Sequence, residues 1–187
     1  MTMTAAVKNG VDVQKLGMLI EDVKREPWRA KLSFTVKSEW KGGFRAVHTT
    51  SDYVVGDESG NHAKAHSIAS DEPREILGSD AGISPTEVLL SALASCLSVG
   101  YAANAAGMGI DLKELRFEIT GHGDLQGFMN LNGVRPGITE VEVKTFVKAD
   151  APRAQLEELH QIVNGRSPIW DTLKNPIDVR SQLVVLS

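Results

Sequence analysis

The sequence predicts a single α+β domain. Three observations carry that reading: a capped apolar run over residues 84–106, strand-spaced alternation on both sides of it, and no repeating strand–helix units of the kind that build a parallel sheet. Val13, Leu16, Ile20 and Val23 recur at helical spacing behind Asp12, which predicts an amphipathic helix ending near Arg25, before Pro27. Residues 1–30 are thus an N-terminal helix and lead-in that covers a main body at residues 31–187. Leu32, Phe34, Val36 and Trp40 then alternate with polar residues, as in a strand with one face buried. Gly42-Gly43 predicts a turn, residues 45–55 the return strand, and residues 62–68 a third. Residues 71–84, acidic and rich in Gly and Pro, read as a surface loop, the kind of segment that often carries function.

The central element is the best defined. Ser84, Pro85 and Glu87 combine an N-cap serine, a proline at the first helical position and a glutamate three residues after the cap, which is a capping box. Residues 88–106 are apolar or small on every face, so this helix is expected to be buried on all sides until Gly107 and Gly109 end it. A membrane span is the competing reading. The many Ala and Ser residues, Asn104 and the lack of flanking basic residues favour a core helix and no membrane partner. One sheet covers only part of such a helix, so a second copy is expected to cover the rest in a homodimer.

Leu115, Phe117 and Ile119, then Val141, Val143, Thr145 and Val147, predict two strands separated by the Gly-rich residues 121–137. Asp150-Ala151-Pro152 opens a helix carrying Leu156, Leu159, Ile162 and Val163 on one side and ending at Asn164-Gly165. Ser167-Pro168 begins a short helical piece. Ile177, Val179, Leu183 and Val185 suggest a last strand.

Composition narrows the function. A chain of 187 residues can bury a core without disulfides or metals, and 42% hydrophobic with 24% charged residues is a globular balance. The net charge is −4 and the 20 Lys and Arg residues are scattered, so nucleic acid is not an expected partner. The polar start and the single Cys point to a reducing, cytoplasmic setting. No GxSxG elbow, P-loop or dinucleotide fingerprint supports a hydrolase, kinase or dehydrogenase. His62 and His66 share a face by spacing but lack companion ligands, so the five histidines read as surface residues, and neither a metal nor a cofactor is expected.

The one thiol, Cys96, lies about three turns into the central helix. It is either a small core hydrophobe or a reactive thiolate; the second needs a cation from another element. Arg45, just after the Gly42-Gly43 turn, is the candidate, because a guanidinium stays charged when buried; the alternative is a solvated strand-end residue. Glu87 could hold that Arg by a bidentate pair, or simply complete the capping box.

The segments Gly82-Ile83-Ser84-Pro85-Thr86-Glu87-Val88-Leu89-Leu90 and Leu93-Ala94-Ser95-Cys96 resemble the signature of the OsmC/Ohr family. Gly42-Gly43-Phe44-Arg45 resembles its early Arg motif, and residues 107–115, 150–163 and 167–173 resemble later family elements. The resemblance runs from Lys31 to the C-terminus and implies an OsmC-like domain at residues 31–187, in an intertwined homodimer whose long buried central helices are wrapped by antiparallel sheets. It also implies a peroxidase chemistry with Cys96 as the attacking thiolate and Arg45 as its stabiliser. Two departures stand out. The usual second, resolving Cys position is Ser167, and the acidic residue that usually follows the Pro directly is Thr86 here, with Glu87 one place later. The pattern looks like a single-Cys branch. The expected function is a one-Cys, thiol-dependent reductase of organic hydroperoxides that uses an external thiol reductant. The alternative is a non-catalytic module at the dimer interface that binds apolar small molecules or senses redox stress.

Overall fold

The structure is a computed structural model that describes residues 7–186. It opens with a small hairpin. Asn9 and Gly10, both at positive φ (51° and 77°), turn β1 (Val7–Lys8) back onto β2 (Val11–Asp12), the geometry that hairpin turns favour. The Asn9 amide ties this hairpin to the body, donating to the Ile110 carbonyl and accepting the Leu112 N–H. Asp12 then caps α1 (Val13–Arg25) by accepting the Lys15 N–H. The helix spans the expected residues, yet it is not the cover that was expected. None of its residues is fully buried, and Met18, Leu19 and Ile20 remain open.

Strand β3 (Leu32–Trp40) pairs antiparallel with β4 (Ala46–Val55), and β4 also takes β5 (Glu58–Gly60) and β6 (Ser67–Ser70) on its other side. The third strand expected over residues 62–68 is therefore replaced by these two short pieces, with His62 in the loop between them. His48 stitches the sheet across three strands: its Nδ1 lies 2.8 Å from Ser38 Oγ and its Nε2 2.8 Å from Ser70 Oγ. This corrects its reading as a plain surface residue. The one-sided burial expected of β3 is also absent: within the chain every position of the strand is exposed, Trp40 at 76%.

The loop at residues 71–84 folds around a buried carboxylate. Asp71 is 1% exposed and accepts the N–H groups of Glu72, Ser79 and Ala81 and the Ser79 hydroxyl. These bonds, led by the Ser79 hydroxyl, outweigh burial and hold its acidity at about 2, well below the usual carboxylate value. The loop thereby delivers Ser84 to the start of α2 (Pro85–Gly107) in a fixed position.

The core lies in the second half of the chain. Strands β7 (Leu112–His122) and β8 (Glu140–Ala149) pair antiparallel, with the short α3 (Leu125–Phe128) between them, followed by α4 (Arg153–Arg166) and α5 (Pro168–Lys174). Leu93, Leu97, Tyr101 and Ala105 form an i, i+4 stripe on α2 that packs with Ile110, Leu159 and Val163. Gly100 lets α4 come close: a Cβ there would meet Val163 Cγ1 at 2.9 Å. Burial of α2 on all sides is not what a single chain achieves. One stripe is covered, while Val99 stands 70% exposed. The expected last strand is absent as well: Ile177, Val179, Leu183 and Val185 are exposed and pair with no strand of the described chain, and alternation without a ladder partner makes no strand.

Candidate functional site around Cys96

The capping box that starts α2 forms in full. Ser84 Oγ accepts the Glu87 N–H at 3.2 Å and Glu87 Oε2 accepts the Ser84 N–H at 2.7 Å. These bonds to Ser84, the backbone one first, keep the Glu87 carboxyl below its ordinary acidity range. Cys96 follows nine residues later, which places it about 13 Å along the axis and on the opposite side of the helix. Within one chain Glu87 is a cap, remote from the thiol.

Cys96 is half-buried, and its nearest polar neighbour comes from 71 residues away: Ser167 Oγ lies 3.1 Å from Cys96 Sγ. Leu159 and Val163 seat α4 on the α2 stripe, and the chain leaving α4 carries Ser167 on to the thiol. Ser167 is 5% exposed and is the N-cap of α5, accepting the Trp170 N–H at 3.3 Å. One turn along each helix from this pair, Leu93 and Trp170 help line a cavity of about 190 Å³, walled by Val141, Val143 and Leu173 and rimmed by Glu140 and Lys174. A reactive atom type, a polar contact to it and an apolar recess thus adjoin one another.

Arg45 lies elsewhere. Its guanidinium donates to the Lys41 and Gly42 carbonyls at 3.2 and 3.5 Å, on the β3–β4 hairpin, away from the α2–α4–α5 layer that carries Cys96. The chain thus joins Cys96 to Ser167 and leaves Arg45 and Glu87 apart from them.

Two groupings escaped the sequence reading. Tyr101 Oη is 2.5 Å from His160 Nδ1, and His160 Nε2 is 3.0 Å from the Asn164 amide nitrogen, so His160 is a half-buried member of a polar network and not a surface residue. Burial raises the Tyr101 hydroxyl above its ordinary acidity value. The signal was present, because His160 sits among Leu156, Leu159 and Val163 on the apolar side of its helix. On the outer face of the β7–β8 hairpin, His122 faces Glu140 across the ladder and lies 3.9 Å from Glu142. Among the described residues these three side chains are the one set close enough to share an ion, and all three are exposed. His62 and His66 instead pack edge to face at 5.5 Å.

The sequence profile of OsmC-like proteins matches residues 78–182, more than half of the chain. The chain belongs to the OsmC-like family. Solved structures of the family share its fold. The OsmC-like protein of Mycoplasma pneumoniae superposes with a TM-score of 0.60 at 17% identity, covering 77% of this chain and 89% of that one. An OsmC-like protein of unknown function from Vibrio cholerae gives 0.56 at 15% identity, covering 75% and 92%. The organic hydroperoxide resistance protein OsmC of Legionella pneumophila gives 0.51 at 15% identity, covering 78% and 93%. No curated protein sequence matches the chain. The mixed α+β architecture is thus that of OsmC-like proteins, some of whose structural relatives are described as hydroperoxide resistance proteins.

Proposed function

We propose that this OsmC-like chain is a one-cysteine, thiol-dependent reductase of organic hydroperoxides, acting as an intertwined homodimer in the cytoplasm. The observation that carries the reading is the half-buried Cys96 sulfur with Ser167 Oγ at 3.1 Å, beside an apolar recess sized for a small organic group. The Cys96 thiolate attacks one peroxide oxygen; the S–O bond forms as the O–O bond breaks, and the departing alkoxide takes up a proton and leaves as the alcohol. Two electrons pass from sulfur to peroxide, leaving a sulfenic acid. With Ser167 where a second sulfur would stand, the chain cannot resolve this species by an internal disulfide. One external thiol condenses with it to a mixed disulfide and water, and a second releases the Cys96 thiol and departs as its own disulfide.

In this reading Arg45, which its own chain holds on the β3–β4 hairpin, serves the thiolate of the partner across the dimer. The uncovered side of α2 and the exposed β3 supply the apolar area such a dimer would bury. The cavity and the missing second sulfur also support the other reading, a binding or redox-sensing module in which Cys96 is oxidised without turnover.

The deciding experiment is single-turnover thiol loss with cumene hydroperoxide and with hydrogen peroxide, with trapping of the sulfenic acid. Rapid loss that prefers the organic peroxide and vanishes in Cys96→Ser is expected. A Cys96 that stays unreactive in the folded protein sinks the reductase reading and leaves the binding one.

A further inference from the structure

We infer that Ser167 is a directed hydrogen-bond donor to Cys96 Sγ, which favours the thiolate and so governs how fast the sulfur reacts. The inference rests on the reductase reading of the same site and deepens it. Its basis is the contact between the two side chains and what each of them has to donate. A serine hydroxyl has one proton and two acceptor lone pairs. As N-cap of α5, Ser167 Oγ already accepts the Trp170 backbone N–H at 3.3 Å, and a backbone amide can only donate. The hydroxyl's proton and its second lone pair remain, so in the thiol form either partner can donate; once the sulfur is a thiolate it has no proton to give, and the 3.1 Å contact is made with the hydroxyl as donor. The N–H that it accepts polarises the O–H further toward the sulfur.

Such a donor acts differently on the two forms of the thiol. Neutral sulfur is a weak acceptor, whereas a thiolate gains a charge-assisted bond, so the interaction favours the anion that attacks electrophiles. Water competes little for the proton, because Ser167 is almost fully enclosed. The cap also holds the Oγ in place, so the donor is preorganised before any reaction begins. The residue that removes the internal disulfide route thereby supplies a donor to the remaining thiol.

The test is alkylation of the folded protein by iodoacetamide at neutral pH, which uses no peroxide. Ser167→Ala should slow alkylation about threefold, the loss of one hydrogen bond to the charged sulfur being partly offset by the greater intrinsic nucleophilicity of the freed thiolate. Because Ala also removes the cap, Ser167→Gly serves as a second variant: glycine is tolerated at N-caps and still lacks the hydroxyl. Ser167→Thr keeps the hydroxyl and should return the rate to that of the wild type. Wild-type rates in both folded hydroxyl-free variants overturn the inference. In Ser167→Cys, diamide should join the introduced thiol to Cys96 as a disulfide, the two thiol hydrogens passing to the diamide as it is reduced. Failure to bridge in the folded variant overturns the placement of residue 167. A protein that ignores hydroperoxides yet shows the Ser167-dependent alkylation rate keeps this inference and loses the reductase reading; peroxide turnover with an alkylation rate indifferent to Ser167 does the reverse.

Discussion

At the scale of residues, the molecule concentrates its buried polar groups where they fix geometry. Asp71 is the clearest case, since three backbone N–H groups and a hydroxyl converge on a single side chain and turn an irregular loop into a rigid lead-in to α2. Its folded-state acidity, near 2, lies below the ordinary value of 3.8. A carboxylate depressed in this way adds stability that is fully present above the unfolded value and is lost as pH falls through the folded one. Acid titration of stability should therefore show a loss between about pH 4 and pH 2 that Asp71→Asn removes, because the amide no longer titrates. At neutral pH the same variant should melt several degrees lower, since an amide presents one acceptor oxygen where the carboxylate presents two. An unchanged acid limb in Asp71→Asn would assign the transition to other carboxylates. Cys96 and Ser167 follow a similar logic, with the sulfur in the place of the accepting carboxylate and one enclosed hydroxyl in the place of the convergent donors.

At the scale of elements, the contact that positions the site is α2 against α4. Gly100 is a point of close approach, and the cost of filling it can be weighed. Ala is favoured over Gly inside a helix by about 1 kcal/mol. A Cβ at 2.9 Å from Val163 Cγ1 pushes on a buried, β-branched side chain with little freedom to move, and overpacking of this kind costs about 1–3 kcal/mol. Gly100→Ala should therefore lower stability in denaturant melts despite its better helix propensity. Adding Val163→Ala should recover part of the loss relative to Val163→Ala alone. Additive effects of the two substitutions would show that they do not share a contact. Because α4 leads directly to Ser167, Gly100→Ala should also alter the alkylation rate of Cys96.

At the scale of the whole molecule, the chain leaves open what a single globule would cover: one side of α2, both faces of β3, the apolar residues of α1, and the C-terminal residues 177–186. These are the apolar surfaces that the proposed homodimer would cover. Sedimentation at micromolar concentration should give a dimer mass. Val99→Lys, on the uncovered side of α2, should shift the protein toward monomer and, by separating Arg45 from the partner's thiol, slow the reaction of Cys96 with hydroperoxides. A monomer at these concentrations would remove the basis for placing Arg45 at the site.

What could be read directly from the chain was what neighbours three or four residues apart decide. The capping box at Ser84 and Glu87, the span of α1, the alternation of β7 and β8 and the family motif around Cys96 all depend on local spacing, and each appears where that spacing puts it. Which faces are covered was decided only in three dimensions. The α2 run is apolar on every side, so its pattern holds no information on which stripe meets α4. The C-terminal alternation has strand character but no ladder partner among the described residues. The site divides in the same way. The sequence by itself singled out Cys96 and the serine where a second thiol would stand, whereas the 3.1 Å contact between them exists only because packing brings α5 to α2 across 71 residues.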